Sequence, residues 1–162
     1  MDINTRWTEI RAHFRKAYQS NFHFSIATVS QDGLPSVTPI GTLFLNDDKT
    51  GFYFEKYPKS IPLHAKSNTN ICVLAVNSNK WFWLKALFKG QFKVSPAIKL
   101  YGQLGKKRPA SAKEMARLQR RMKLTKRTKG HQMLWNRDMN MVREIHFTQA
   151  SEMQLGAMFS PS

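Results

Sequence analysis

The chain has 162 residues, and its 26 Lys and Arg against 10 Asp and Glu give a net charge of +16, with 41% hydrophobic residues. That length reads as a single domain, 1–162, which buries roughly 70% of the surface its unfolded chain exposes and needs no disulfide or structural metal to hold a core. The composition excludes wholesale disorder, the single cysteine excludes a disulfide scaffold, and no apolar run approaches the ~18 to 20 residues of a membrane-spanning helix.

The N-terminal stretch Met1 to Trp7 lacks a basic segment followed by an apolar one, so a soluble cytoplasmic protein is expected. Ile3, Trp7, Ile10, Phe14 and Ala17 are spaced to share one helix face, which predicts a first amphipathic helix over about 3–18. His23 to Ser30 alternates with period two and ends at Gln31-Asp32-Gly33, a strand entering a hairpin turn. A second strand is expected over Ser36 to Leu45, with Pro39 and Gly41 arguing against a central, fully paired position. After the turn cluster Asn46 to Gly51, Phe52 to Glu55 reads as a third strand, completing an antiparallel meander.

Ser60 is a candidate N-cap for a short helix around Leu63 to Lys66. Cys72 lies in the apolar strand Ile71 to Val76 and reads as a buried structural thiol. Trp81 to Lys89 is the most apolar segment and fits strand and helix equally badly, so its conformation stays open. Phe92 to Gly102 reads as another strand, and Gly102-Gln103-Leu104-Gly105 as a turn. Ser111 and Glu114 form a capping box opening a basic helix over about 111–128, with Met115, Leu118 and Met122 as its apolar seam. Val142 to Thr148 is the last strand. No βαβ alternation occurs, so the reading is a mainly β (α+β) fold, a small antiparallel β-barrel with peripheral helices.

P-loop, dinucleotide-fingerprint, zincin, dithiol and nucleophile-elbow signatures are all missing from the sequence. His13, His23, His64, His131 and His146 have no metal-ligand spacing, and no metal site is expected. The few carboxylates fall mostly in turns and helix starts, so no acid/base pair stands out and no catalytic residue is assigned; any redox or group-transfer chemistry would need a cofactor.

Ile26-Ala27-Thr28-Val29, Asp32-Gly33 and Pro35, then Phe52-Tyr53-Phe54 followed by Lys59-Ser60, then Asn68-Thr69-Asn70 and Val73 to Val76, make an ordered set of features. In that order they resemble the FMN-binding split-barrel proteins related to pyridoxamine 5′-phosphate oxidase. The resemblance covers about a third of the chain, from Ser25 to Val76, with Phe92 to Gly102 matching more loosely. It implies an antiparallel split β-barrel and a homodimer holding FMN at the subunit interface, a flavoprotein acting as an oxidoreductase on a small substrate, anionic or neutral.

By the same resemblance Thr38, Pro39, Ile40, Gly41 and Thr42, with Phe54 and Glu55, would frame the flavin ring. Lys59 and Ser60 would hold its phosphate. Apart from the resemblance, the aromatic run that holds Trp81 and Trp83 suits core, a dimer interface or a wall of the substrate pocket. The residue types suit that use: an ammonium, a hydroxyl and free helix-start N–H groups can bind phosphate, and a strand broken by Pro and Gly can present backbone to a flat ring. A solvated turn lysine and a plain sheet edge account for the same residues equally well. The family's paired Arg-Lys is Lys59-Ser60 here, and the family's C-terminal Trp- and Arg-containing substrate segment has no counterpart. Pyridoxamine phosphate is therefore not the expected substrate. A haem- or deazaflavin-binding relative is the alternative within this fold.

From 106 to 129 the chain carries eleven Lys and Arg against one Glu, a local net of +10. That concentration supports a rival reading, a non-enzymatic basic protein that binds nucleic acid through phosphate contacts. The plain alternative is a solvated helix face that raises the potential around an anionic ligand.

Overall fold

The computed structural model describes residues 1–123 and 139–158. Helix α1 (Trp7–Asn21) buries Trp7, Ile10, Phe14 and Ala17, the predicted face, and ends at Phe22, whose left-handed backbone lets its N–H bond Tyr18 O at 2.7 Å. It starts later than the 3–18 reading; Ile3 is nevertheless buried ahead of it.

Seven strands follow: β1 (Phe24–Val29), β2 (Pro35–Ile40), β3 (Leu43–Leu45), β4 (Thr50–Phe54), β5 (Asn70–Val76), β6 (Ala97–Pro109) and β7 (Met141–Glu152). All pairings are antiparallel, in the order β2-β1-β5-β6-β7-β4-β3. The second strand expected over Ser36 to Leu45 is two strands, and they sit at opposite ends of this order. Only Gly41 and Thr42 separate them. Two residues span a few ångströms, so the two edges of the sheet come together and the sheet curls into a barrel. The meander reading fails for the same reason: β1/β2 and β3/β4 are hairpins, but the chain crosses from one sheet edge to the other between them.

Pro39 fits because β2 is an edge strand of the order, pairing only with β1, and edge strands tolerate proline. Gly102 sits at a register shift between β6 and β7, where an added Cβ would lie 2.2 Å from His146 O. Only glycine allows those backbones to approach so closely.

The main core gathers α1 with the inward residues of the barrel, including Ile26, Leu43, Tyr53, Val73, Leu100 and Ile145. β4 is buried on both faces: Tyr53 points into that core, while Phe52 and Phe54 join Phe44, Leu118, Met139 and Val142 in a second cluster. Helix α4 (Ala112–Met122) covers this second cluster. It opens with the predicted capping box, Ser111 Oγ accepting from Glu114 N (3.2 Å) and the Glu114 carboxylate from Ser111 N (2.8 Å). The part of the 111–128 reading beyond Lys123 lies outside the described residues.

Helix α2 (Ser60–His64) takes Lys59, not Ser60, as its N-cap, with no side-chain cap bond. The open segment around Trp81 is helix α3 (Lys80–Lys89), capped by Asn79 Oδ1 accepting from Phe82 N (3.1 Å) and closed by left-handed Gly90. The supposed turn at Gly102 to Gly105 is continuous strand, since β6 begins at Ala97 and runs to Pro109. Cys72 faces away from the core and is half-buried, with burial raising its thiol pKa. Among the described residues no helix is long and apolar enough to cross a membrane.

Candidate functional site

The point where the barrel closes is also a pocket. It has a volume of about 320 Å³ and is lined by Thr38, Pro39, Ile40, Gly41, Thr42 and Phe54, together with Tyr57, Pro58 and Met139. Six of the nine expected cofactor residues therefore come together at one place. The end of β2, the two-residue link and the end of β4 form its walls, and most of the lining is apolar. The link is held tightly: an added Cβ at Gly41 would sit 3.1 Å from Phe22 O, and Thr42 Oγ1 donates to Phe54 O at 3.3 Å.

Ser60 stands at the rim, its Oγ 3.1 Å from Thr38 Oγ1, so the start of α2 abuts the pocket wall. Lys59 beside it is exposed. On the same helix His64 Nδ1 lies 2.8 Å from the buried Thr28 Oγ1, which fixes α2 against β1.

Glu55, the ninth expected residue, does not line this pocket. Its carboxylate is buried and held by Arg143, whose Nη2 lies 3.1 Å from Oε1 and whose Nε grips Oε2. The Tyr53 hydroxyl donates to it at 2.6 Å and Lys107 Nζ stands 3.4 Å away. Burial pushes the Glu55 pKa up, and the Arg143 and Tyr53 hydrogen bonds with the two cationic charges outweigh it, so the group titrates below its ordinary range. Burial first, and the Glu55 carboxylate second, hold the Tyr53 hydroxyl protonated far above neutral pH.

Trp81 and Trp83 lie elsewhere. Trp81 is 79% exposed on α3, and Trp83 donates Nε1–H to Asn77 O at 2.6 Å and packs edge-on against Phe92, with 5.2 Å between ring centroids. Neither lines the pocket at the barrel seam. Sequence reasoning did not single out Tyr57, Pro58 or Met139 as site residues. Tyr57 and Pro58 follow β4 closely in the chain, where a proline is a local breaker signal, whereas Met139 arrives from more than eighty residues away through the Glu55 N to Met141 O bond (3.0 Å).

No protein-family profile matches the sequence and no curated protein matches it. Solved structures do resemble the fold. An FMN-binding protein from Syntrophomonas wolfei superimposes with a TM-score of 0.60 at 13% identity, covering 94% of this chain and 95% of that one. An F420 reductase gives 0.55 at 14% identity, covering 81% and 90%. HutZ, a haem storage protein from Vibrio cholerae, gives 0.52 at 12% identity, covering 90% and 92%. The chain thus has the antiparallel split-barrel fold of these proteins.

Proposed function

We propose that this chain is a flavoprotein that binds FMN in the pocket at the barrel seam. The observation that carries the reading is the contact of Thr38 with Ser60. It joins an apolar pocket sized for part of a flat ring to a corner bearing an ammonium and a hydroxyl, the two chemistries that FMN requires. Pro39, Ile40, Phe54 and Pro58 supply walls on which a ring can lie, and the unpaired side of β2 supplies backbone groups toward its polar edge. Lys59 and Ser60 would hold the phosphate. When bound, FMN would supply hydride or electron transfer with a small, anionic substrate, making the protein a flavin-dependent oxidoreductase.

A second copy of the chain completes the site in this reading. Leu34, Val37 and Tyr57 are 67%, 65% and 50% exposed around the β2 edge and the pocket, an apolar surface suited to a homodimer interface. FMN is favoured over haem because no histidine lines the pocket among the described residues.

The test is the absorbance spectrum of freshly purified protein, before and after FMN is added, with any released chromophore identified. A two-band flavin spectrum, with a dimer by size-exclusion light scattering, supports the reading. A Soret band moves it to haem. A colourless protein that does not titrate with FMN overturns it.

A further inference from the structure

A second concavity, of about 380 Å³, lies between α1 and α4. Five guanidinium groups line it: Arg11 and Arg15 from α1, and Arg117, Arg120 and Arg121 from α4. No carboxylate does, among the described residues. The sequence marks this stretch only as a basic helix, and the structure turns part of that charge inward.

The partners of these groups are mostly neutral. Arg121 donates to the carbonyls of Gly41 (3.0 Å) and Leu43 (2.6 Å), and its guanidinium lies 3.6 Å from the Phe44 ring centroid and 4.0 Å from that of Tyr18. Arg117 donates to Asn46 Oδ1 and Leu45 O, both at 2.7 Å, and lies over Phe44 and Phe52. Arg11 pairs with Asp47, which is exposed, and Arg120 donates to Ala116 O at 3.4 Å.

Carbonyls and ring faces orient a guanidinium without cancelling its charge. Arg121 is buried enough that desolvation lowers its pKa to about 10, with Tyr18 opposing the shift and repulsion from Arg117 adding to it, yet it stays protonated at neutral pH. Burial also lowers Arg117, and Arg11 and Arg120 repel it, while Asp47 and Glu114 pull the other way. The cleft therefore concentrates like charges, offset at its edge by Asp47 on Arg11 and more weakly by Asp47 and Glu114 on Arg117, with no acidic side chain in its lining.

We propose that the α1/α4 cleft binds a small phosphorylated anion, held by Arg15, Arg117 and Arg120 over the floor made by Arg121 and Tyr18. Guanidinium groups match phosphate oxygens in fork geometry, and the volume of this open cleft suits one or two phosphate groups with a modest organic part. The site is separate from the seam pocket and does not depend on the flavin reading.

The experiment is a calorimetric titration with sodium pyrophosphate, a probe with no ring, run with and without FMN. The expected result is saturable binding in both conditions, weakened at least about tenfold in Arg15→Ala/Arg120→Ala. Both side chains are exposed, so the melting temperature of that variant should match the parent's, which keeps the test independent of folding. A parallel titration with 20-nucleotide oligothymidylate distinguishes the source of phosphate. Absence of pyrophosphate binding, unchanged affinity in the double variant, or oligothymidylate binding more than about a hundred times tighter and lost in the same variant would each overturn the proposal.

Discussion

Arg143 of β7, half-buried, and the buried Glu55, the residue following β4, form a bidentate ion pair at the barrel wall, and the Tyr53 hydroxyl donates to the same carboxylate. Removing Arg143 leaves the buried Glu55 carboxylate with only the Tyr53 hydroxyl and the more distant Lys107 ammonium to offset its charge. Arg143→Met should therefore lower unfolding free energy by about 3 kcal/mol, read by urea denaturation. Glu55→Gln added to Arg143→Met should recover part of that loss, because it removes the stranded charge. A double variant no more stable than the single one would contradict this account.

Acid sensitivity follows from the same chemistry. Glu114 is held down to about 2, first by its hydrogen bonds with Arg108 at 2.8 and 2.9 Å and then by the Ser111 capping bonds, against a desolvation cost. A carboxyl whose folded pKa lies below its unfolded value of 4.5 stabilises the fold fully above that value, and the contribution disappears as pH falls toward about 2. Melting temperature should fall steeply across that window. Glu114→Gln should flatten the acid limb while lowering stability at neutral pH.

Gly102→Ala places a methyl group against the backbone oxygen of His146, where no side chain can rotate away. The β6/β7 pairing must open locally, at a cost of roughly 3 kcal/mol. Circular dichroism melting checks it, and a variant melting within a few degrees of the parent would show that the two strands can separate at little cost.

Lys59→Ala tests the phosphate corner alone. The side chain is exposed, so stability should change by less than about 0.5 kcal/mol. FMN affinity should fall about tenfold, the worth of one charge-assisted contact. Equal affinity in the variant would move the phosphate away from α2.

What the sequence revealed tracks how local each signal is. The buried face of α1 and the Ser111/Glu114 box rest on spacings of three and four residues, and both were readable. Pro39 and Gly41 announced an edge and a break, yet nothing local says that the chain there changes from one end of the sheet to the other. α3 resisted reading because its most apolar residues stay outside: Trp81, Leu87 and Phe88 are 79%, 61% and 84% exposed, so neither periodicity nor burial disciplines the pattern. β6 runs on through Lys106, Lys107 and Arg108 because backbone pairing with β7, and Glu55, Glu114 and Glu144 across from the cations, keep a charged strand in register. Thr38 to Thr42 share the seam pocket because they are neighbours in the chain, whereas Met139 and the arginines of α4 reach their places only through tertiary packing.

Gly41 and Thr42 join the two ends of the sheet, line the pocket, and receive at Gly41 O the hydrogen bond that Arg121 brings from the cleft. The seam is therefore shared property of both concavities. Anything lodged on either side acts as a clasp on a cylinder that is otherwise fastened by two residues, so occupancy should register as slower hydrogen exchange in β2 and β3 before it registers anywhere else in the molecule.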